Sequence, residues 1–474
     1  MQRSTKIVAT LGPSTSEVDV LTRLIGAGVN VVRLNFSHGK ADDHIGRAQM
    51  VRDAAAKLGV PVAIMVDLQG PKIRVGKFEK SKVNLSNGQH FILDATCELG
   101  NEERVGLDYK ELPRDVSPGA VLLLDDGRLV LDVERVVGSE IHTKVRVGGV
   151  LSNNKGINRQ GGGLSAPALT AKDMEDIKVA AKLEADYVAV SFPKSSADMY
   201  MARTLLQAAG SKAQVVAKIE RTEAIANLDE LVEASDAIMV ARGDLAVEVG
   251  DAAVPALQKR MIRLAREKNK LTITATQMME SMINSPVPTR AEVSDVANAV
   301  LDGTDAVMLS AETAAGKYPV ETVESMARVC LEAEKSTDYR LDRDMLAREF
   351  SRVDQSIAMA ALFTANHMKV KAVVALTQTG ATALWISRVN CGVPIYALTP
   401  EIATYRRLSL FRDVFPMMLA HDCDQKSLLV AAEVKLLEQG LVQPGDLLVL
   451  TVGDTVGQMG STNTMKIIRV AARG

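Results

Sequence analysis

From Thr5 to Leu11 the chain is almost wholly apolar and stops at Gly12-Pro13; a helix-spaced segment from Glu17 to Ala27 follows, then a second apolar run from Val29 to Leu34. Short apolar runs closed by glycine or proline, alternating with segments whose apolar positions recur every three or four residues, predict strand-helix-strand units around a buried parallel sheet. Ala41 to Leu58 reads as a helix with Gly59 as its stop, and Val62 to Val66 as a third buried strand ending at Asp67. Between Pro71 and Pro167 the period changes. Short alternating runs such as Lys82 to Leu85, Arg128 to Val137 and Glu140 to Val147 are separated by Asn87-Gly88, Pro118-Gly119 and Asp126-Gly127, which predicts an inserted small β domain. After Pro167 the alternation resumes with strands Tyr187 to Val190, Val215 to Ile219, Ala237 to Val240, Leu271 to Thr274 and Ala306 to Leu309.

Three strands before the insert and five after it make eight, which favours a closed parallel barrel over an open doubly wound sheet. The expected fold is therefore α/β: a (β/α)8 TIM barrel from residues 1–70 and 168–335, an insert at 71–167, and a C-terminal α/β domain at 336–474. The last begins at a charged stretch, Lys335 to Arg352, and holds strands near Ala372 to Leu376, Ile395 to Leu398, Val414 to Met418 and Leu447 to Leu450.

A length of 474 residues is too great for one ordinary core and agrees with three folding units. Lysine plus arginine (56) nearly balances aspartate plus glutamate (58), and the formal net charge of -2 offers no general attraction to nucleic acid or an anionic membrane. Any phosphate binding must be local. Cys97, Cys330, Cys391 and Cys423 lie far apart without a CxxC or Cys/His cluster, which argues against a zinc site or disulfide framework and for a reducing, cytoplasmic setting. No run reaches the roughly 18 apolar residues of a membrane span.

In such barrels the active site is built at the carboxyl ends of the strands. The second strand ends in Arg33, Asn35 and Ser37, the third in Asp67, the fourth in Ser191 and the fifth in Lys218 and Glu220. The sixth leads to Arg242, Gly243 and Asp244, the seventh to Thr276, the eighth to Ser310 and Glu312. Lys218 and Glu220, two apart on a strand, share one face. Alone they are equally a plain ion pair, and Asp244 after Arg242-Gly243 is equally a helix N-cap. On adjacent strands, however, Glu220 and Asp244 can jointly offer carboxylate oxygens to a hard divalent cation, Mg2+ or Mn2+, with Lys218 beside it suited to an oxyanion or phosphoryl group. No GxxxxGK(S/T) occurs and Gly26-Ala27-Gly28 lacks the third glycine of a dinucleotide fingerprint, so nucleotide binding is not of P-loop or Rossmann type. Arg33, Arg74 and Lys155 remain as candidate phosphate clamps, or singly as solvated surface charges.

As ordered strings, VVRLNFSHG (31–39), VDLQGPKIR (66–74), AKIER (217–221), MVARGDLAVE (239–248), TATQMMESM (274–282) and MLSAETAAGKYPVE (308–321) resemble the pyruvate kinase family, from Lys6 to the C-terminus. The resemblance implies transfer of the phosphoryl group of phosphoenolpyruvate to ADP, giving pyruvate and ATP in glycolysis through a metal-stabilised enolate. It implies that Glu220 and Asp244 hold the divalent metal, that the backbone at Gly243 and Asp244 receives the substrate carboxylate with Ser191 nearby, and that Lys218 meets the migrating charge. Thr276 would help deliver the proton to the enolate, and Arg33, His38, Arg74 and Lys155 would face the nucleotide or the travelling phosphoryl group. The insert would be a small β-barrel lid that excludes water on closing.

Many family members bind K+ at positions matching Asn35, Ser37, Asp67 and Leu68 and carry an acid where this chain has Lys72. The resemblance is therefore to the bacterial type with a potassium-independent signature, the Lys72 ammonium standing in for the ion, against the alternative of a solvated hinge charge. Thr377, Gln378, Thr379, Gly380 and Thr382 follow a strand and open a helix, either as a simple cap or, as in the family, as a site for a sugar-phosphate or AMP activator over which the Gly453 to Asn463 loop closes. A homotetramer is implied as well.

Two other functions stay open on these residues. Another enolate-forming, metal-dependent barrel such as an aldolase or lyase would share Glu220 and Asp244 but leave the insert with Lys155, Arg74 and the C-terminal loop unexplained. A catalytically silent metabolite sensor would keep only that C-terminal loop, which sits poorly with intact Lys218, Glu220, Asp244 and Thr276.

Overall fold

The computed structural model describes residues 2–336, 349–389, 392–420, 424–453 and 462–472. Most of the charged stretch from Lys335 to Arg352, Cys391, Cys423 and most of the Gly453 to Asn463 loop lie outside the described residues.

Eight parallel strands close into a barrel: Lys6–Thr10, Val31–Asn35, Ala63–Asp67, Tyr187–Val190, Gln214–Ile219, Ala237–Ala241, Leu271–Ala275 and Ala306–Leu309. Closure is made by the first strand, whose Lys6 pairs with Ala306 on the last and whose Val8 pairs with Val31 on the second. These strands are short, almost entirely buried runs of Val, Ile, Met and Ala, because a barrel strand is covered by helices outside and by opposing side chains within. The helix after the second strand spans Ala41–Leu58 and ends at Gly59, whose φ of 66° in the left-handed region terminates it as glycine does most easily.

The insert leaves the barrel after the third strand. Its main sheet has six strands in the order Ile157–Arg159, Val121–Leu124, Leu129–Val137, Glu140–Val147, His90–Asp94 and Arg104–Gly106, with Lys82–Leu85 paired to Gly149–Ser152 and Lys77–Phe78 to Leu99–Gly100 beside it. Its apolar core, from Ile73 to Leu164, is separate from that of the barrel. The outgoing and returning chains are tied together where they cross, by Val75 N–H to the Lys155 carbonyl at 2.9 Å and Ile157 N–H to the Ile73 carbonyl at 2.8 Å.

The C-terminal sheet runs Val414–Met418, Ile395–Thr399, Ala372–Leu376, Leu447–Gly453 and Thr462–Arg469. The fifth strand, antiparallel at the edge, adds to the four read from the sequence. This domain docks on the barrel end opposite the active-site mouth. One apolar cluster runs from inward barrel residues such as Val8 and Ala306 to Leu362, Ile386 and Phe411. At the junction Arg388 Nη1 donates to Asp305 Oδ2 at 2.9 Å, Arg388 Nη2 pairs with Asp305 Oδ1, and Arg412 donates to the carbonyls of Val300 and Thr304.

Candidate active site

Five consecutive barrel strands contribute to one charge network at the mouth. Lys218 Nζ lies 2.9 Å from Glu220 Oε1 and 3.3 Å from Asp67 Oδ1, and donates to Ser191 Oγ at 2.8 Å. Arg33 grips the same aspartate, Nε and Nη2 each 2.6 Å from Asp67 Oδ2, while its Nη1 donates to Thr10 Oγ1 at 3.0 Å. Ser191 Oγ donates to the Leu68 carbonyl at 2.7 Å, and Phe192 N–H donates to Glu220 Oε2 at 2.9 Å. Asp67 and Glu220 are both buried to 1% exposure, so every charge here is taken out of water and must be met by a partner.

Burial alone would discharge Lys218, but Asp67 and Glu220 outweigh it and hold the ammonium above the usual lysine range. Burial likewise pushes Asp67 up, yet Lys218 and Arg33 together bring its carboxyl below the ordinary range. Glu220 ends on the other side: burial raises it, Lys218 opposes, and the charge of Asp244 raises it again. Two carboxylates whose charges oppose each other from neighbouring strand ends form an all-oxygen donor pair. That is a fit for a hard divalent cation completed by waters and substrate oxygens.

The sixth strand passes straight into the helix Arg242–Val249, placing the Gly243 and Asp244 amides in its first turn. Gly243 N–H donates to Thr276 Oγ1 at 2.9 Å. Thr276 and Gln277 have φ of 66° and 54°, a left-handed pair that non-glycine residues hold only when their surroundings impose it. Arg242 does so, its Nη2 donating to the Thr276 carbonyl at 2.6 Å, its Nε to the Ala275 carbonyl at 3.1 Å, its Nη1 to Asp295 at 2.7 Å. Lys72, from the outgoing crossing of the insert, sits 3.7 Å from Asp244 Oδ1.

Of the other sequence-selected residues, Asn35 Oδ1 accepts from Ser37 N–H at 3.1 Å, beside the Phe36 N–H bond to the Asp67 carbonyl. Arg74 and Lys155 are engaged in the insert, Arg74 Nη1 with the Asn154 carbonyl at 3.1 Å and Lys155 Nζ with Asp125 at 2.7 Å, while His38 is exposed on the loop after the second strand. Glu312 is structural: buried, it accepts from the amides of Ser310 at 2.7 Å and Met279 at 3.2 Å. In the C-terminal loop Thr377 Oγ1 accepts from Gly380 N–H at 2.9 Å, Thr382 Oγ1 meets Thr462 Oγ1 at 2.7 Å, and the Gln378 carbonyl accepts from Thr404.

Sequence reasoning missed the anchoring roles of Thr10 and Arg242 and the pairing of Asp67 with both Arg33 and Lys218, Asp67 being expected there only at a monovalent-cation site. The position of Arg242 immediately before Gly243-Asp244 was the available signal for one of them. Nothing local marked Thr10.

A parallel eight-stranded barrel with a lysine, an arginine and several carboxylates at its mouth, an insert after the third strand and a C-terminal α/β domain defines a class of barrel phosphotransferase. The family model described as pyruvate kinase, barrel domain, matches residues 2–323, and that described as pyruvate kinase, alpha/beta domain, matches residues 355–468. The chain is 55% identical over 468 residues to a pyruvate kinase of Haemophilus influenzae, covering 98% of this chain and 97% of that one. It is 53% identical to pyruvate kinase II of Salmonella typhimurium, with 99% of each covered. A crystal structure of a pyruvate kinase from Cryptosporidium parvum superposes with a TM-score of 0.93 at 35% identity, covering 99% of this chain and 96% of that one. The chain belongs to the pyruvate kinase family.

Proposed function

We propose that this pyruvate kinase works through the network around Lys218, and the observation that carries the reading is the position of that ammonium between Asp67, Glu220 and Ser191. Phosphoenolpyruvate enters with its carboxylate toward the Gly243 and Asp244 amides, where the first turn of a helix favours an anion. Its phosphoryl group lies toward Lys218 and Arg33. The bond from phosphorus to the enol oxygen breaks as a bond to a terminal oxygen of ADP forms, and Lys218 offsets the negative charge that moves between them. The enolate carbon then takes a proton through a water on the Thr276 side, since a threonine hydroxyl is itself a weak acid. Glu220 and Asp244 hold the divalent metal, Mg2+ or Mn2+, which when bound supplies Lewis-acid charge to substrate oxygens.

Residues 71–167 act as a lid carrying Arg74 and Lys155 to the nucleotide, with Arg33 and His38 meeting it from the barrel. Lys72, 3.7 Å from Asp244, supplies the positive charge that K+ provides elsewhere in the family. The loop from Thr377 to Thr382 takes a phosphorylated effector, and the working form is a homotetramer in the cytoplasm. Pyruvate formation with and without ADP, Mg2+ and K+ tests these readings. ADP- and Mg2+-dependent pyruvate at full rate in K+-free buffer is expected; a large activation by K+ would remove the role given to Lys72, and pyruvate formed without ADP would favour a lyase.

A further inference from the structure

The insert joins the barrel by two crossings, and the returning one, from Arg159 to Ser165, is built on a run of three glycines. Gly161, Gly162 and Gly163 have φ of 80°, 77° and 90°, all in the left-handed region that glycine alone enters freely. A segment of this kind has little stiffness of its own, so its path must be fixed from outside. The barrel fixes it through the loop after the fifth strand. Gly163 N–H donates to Glu223 Oε1, and a Cβ on Gly162 would lie 2.7 Å from Glu223 Oε2 and 2.8 Å from Oε1, so backbone and carboxylate are packed with no room between them. Gly161 N–H donates to the Glu248 carbonyl at 3.3 Å, and Arg159 Nη1 to the Gly163 carbonyl at 3.2 Å, completing the turn. Glu223 Oε2 is buried without a partner among the described residues, a cost that a residue serving only its own short helix would avoid. That helix, Thr222–Ala226, opens directly after Glu220-Arg221.

We propose that Glu223 is a positioning residue: its carboxylate latches the glycine run of the returning crossing to the loop that carries Glu220, and thereby sets where the lid comes to rest over the phosphoryl-transfer site. The inference rests on the reading of residues 71–167 as a closing lid. Losing the latch leaves the barrel half of the site intact but lets the lid groups Arg74 and Lys155 wander and water enter. The defect therefore falls on the nucleotide and on the partition between transfer and hydrolysis, not on phosphoenolpyruvate binding.

Glu223→Ala and Glu223→Gln in the full chain test this. The alanine variant is expected to raise KM for ADP roughly tenfold, the effect of one charge-assisted hydrogen bond, with KM for phosphoenolpyruvate little changed. It should also hydrolyse a larger fraction of phosphoenolpyruvate and be cut several-fold faster by limited proteolysis between Arg159 and Ser165. Glu223→Gln, which keeps an acceptor oxygen for Gly163, should recover most of this. Gly162→Ala, whose Cβ would meet both Glu223 oxygens and part the carboxylate from the crossing, should reproduce the alanine phenotype if Glu223→Ala folds poorly. An unchanged KM for ADP with unchanged proteolysis, or a glutamine variant as defective as alanine, overturns the latch. If substrates fail to protect the crossing in the wild-type chain, the lid reading itself has failed; protection in the wild type with an unaltered alanine variant defeats only the latch.

Discussion

Lys218 is clamped by two buried carboxylates and a hydroxyl and still faces the mouth of the barrel, so its charge is fixed in place before any substrate arrives. Preorganised charge of this kind acts where negative charge develops. Lys218→Met should therefore lower kcat by roughly 10²- to 10³-fold while KM for phosphoenolpyruvate moves little, read from steady-state kinetics. It also leaves the buried Glu220 without its charge partner, while Asp67 keeps Arg33, so denaturant unfolding should show a loss of about 3–5 kcal/mol. Glu248 behaves in the opposite sense. Burial, with Glu223 adding to it, pushes its carboxyl up from 4.5 to about 7. A raised folded value means that this carboxyl's contribution to stability is complete below the ordinary carboxylate range and is lost as pH rises through about 7. On the order of 3 kcal/mol is at stake. Glu248→Gln still accepts from Thr222 N–H, now 2.9 Å from Oε2, and should flatten the decline in melting temperature between pH 5 and pH 8. The pairing of Lys218 with Glu220 was legible from their spacing of two, but the grip of Asp67 and the raised carboxyl of Glu248 were not. Asp67 shows why: its partners, Arg33 and Lys218, lie 34 and 151 positions away by number, and only the order of strands in the sheet brings them to one oxygen pair.

The eight barrel strands were legible because each is a continuous buried run, and observed ends differ from the expected ones by a residue or two, as at Val31 and Gln214. The edge strand Thr462–Arg469 was not, because all but its first residue are exposed or only partly buried and its sequence, TNTMKIIR, carries no apolar run or clean alternation. Crossing geometry was hidden too. Gly70, on the outgoing crossing, has φ of 66°, and a Cβ there would lie 2.7 Å from the Cβ of Ser191, the residue whose hydroxyl holds Lys218. Gly70→Ala thus combines backbone strain of about 1–3 kcal/mol with a push on Ser191. A fall in kcat/KM of tenfold or more is expected, larger than the accompanying shift in unfolding midpoint explains. Equal activity at equal stability would show that Ser191 is free to give way.

The whole chain is held by its barrel floor as much as by its mouth. Asp305 and Arg388, 1% and 3% exposed, pair across the junction of barrel and C-terminal domain, where Asp305 also accepts from Thr272 N–H at 2.9 Å and Arg412 N–H at 3.2 Å. Burial pushes Asp305 up, but Arg388 and these amides hold it below the ordinary carboxylate range. Its contribution is therefore present throughout neutral pH and lost only as pH falls below that range, which separates it from Glu248. Asp305→Asn leaves a buried guanidinium without its charge partner, at a cost of about 3–5 kcal/mol. Because the apolar cluster from Val8 to Phe411 spans the same junction, the loss should uncouple the two domains, and a cooperative unfolding curve should split into two transitions. Replacing both partners, Asp305→Leu with Arg388→Met, removes the stranded charge and should restore much of the lost stability. A single unshifted transition for Asp305→Asn would mean that apolar packing alone docks the C-terminal domain, and that the ion pair contributes orientation rather than adhesion.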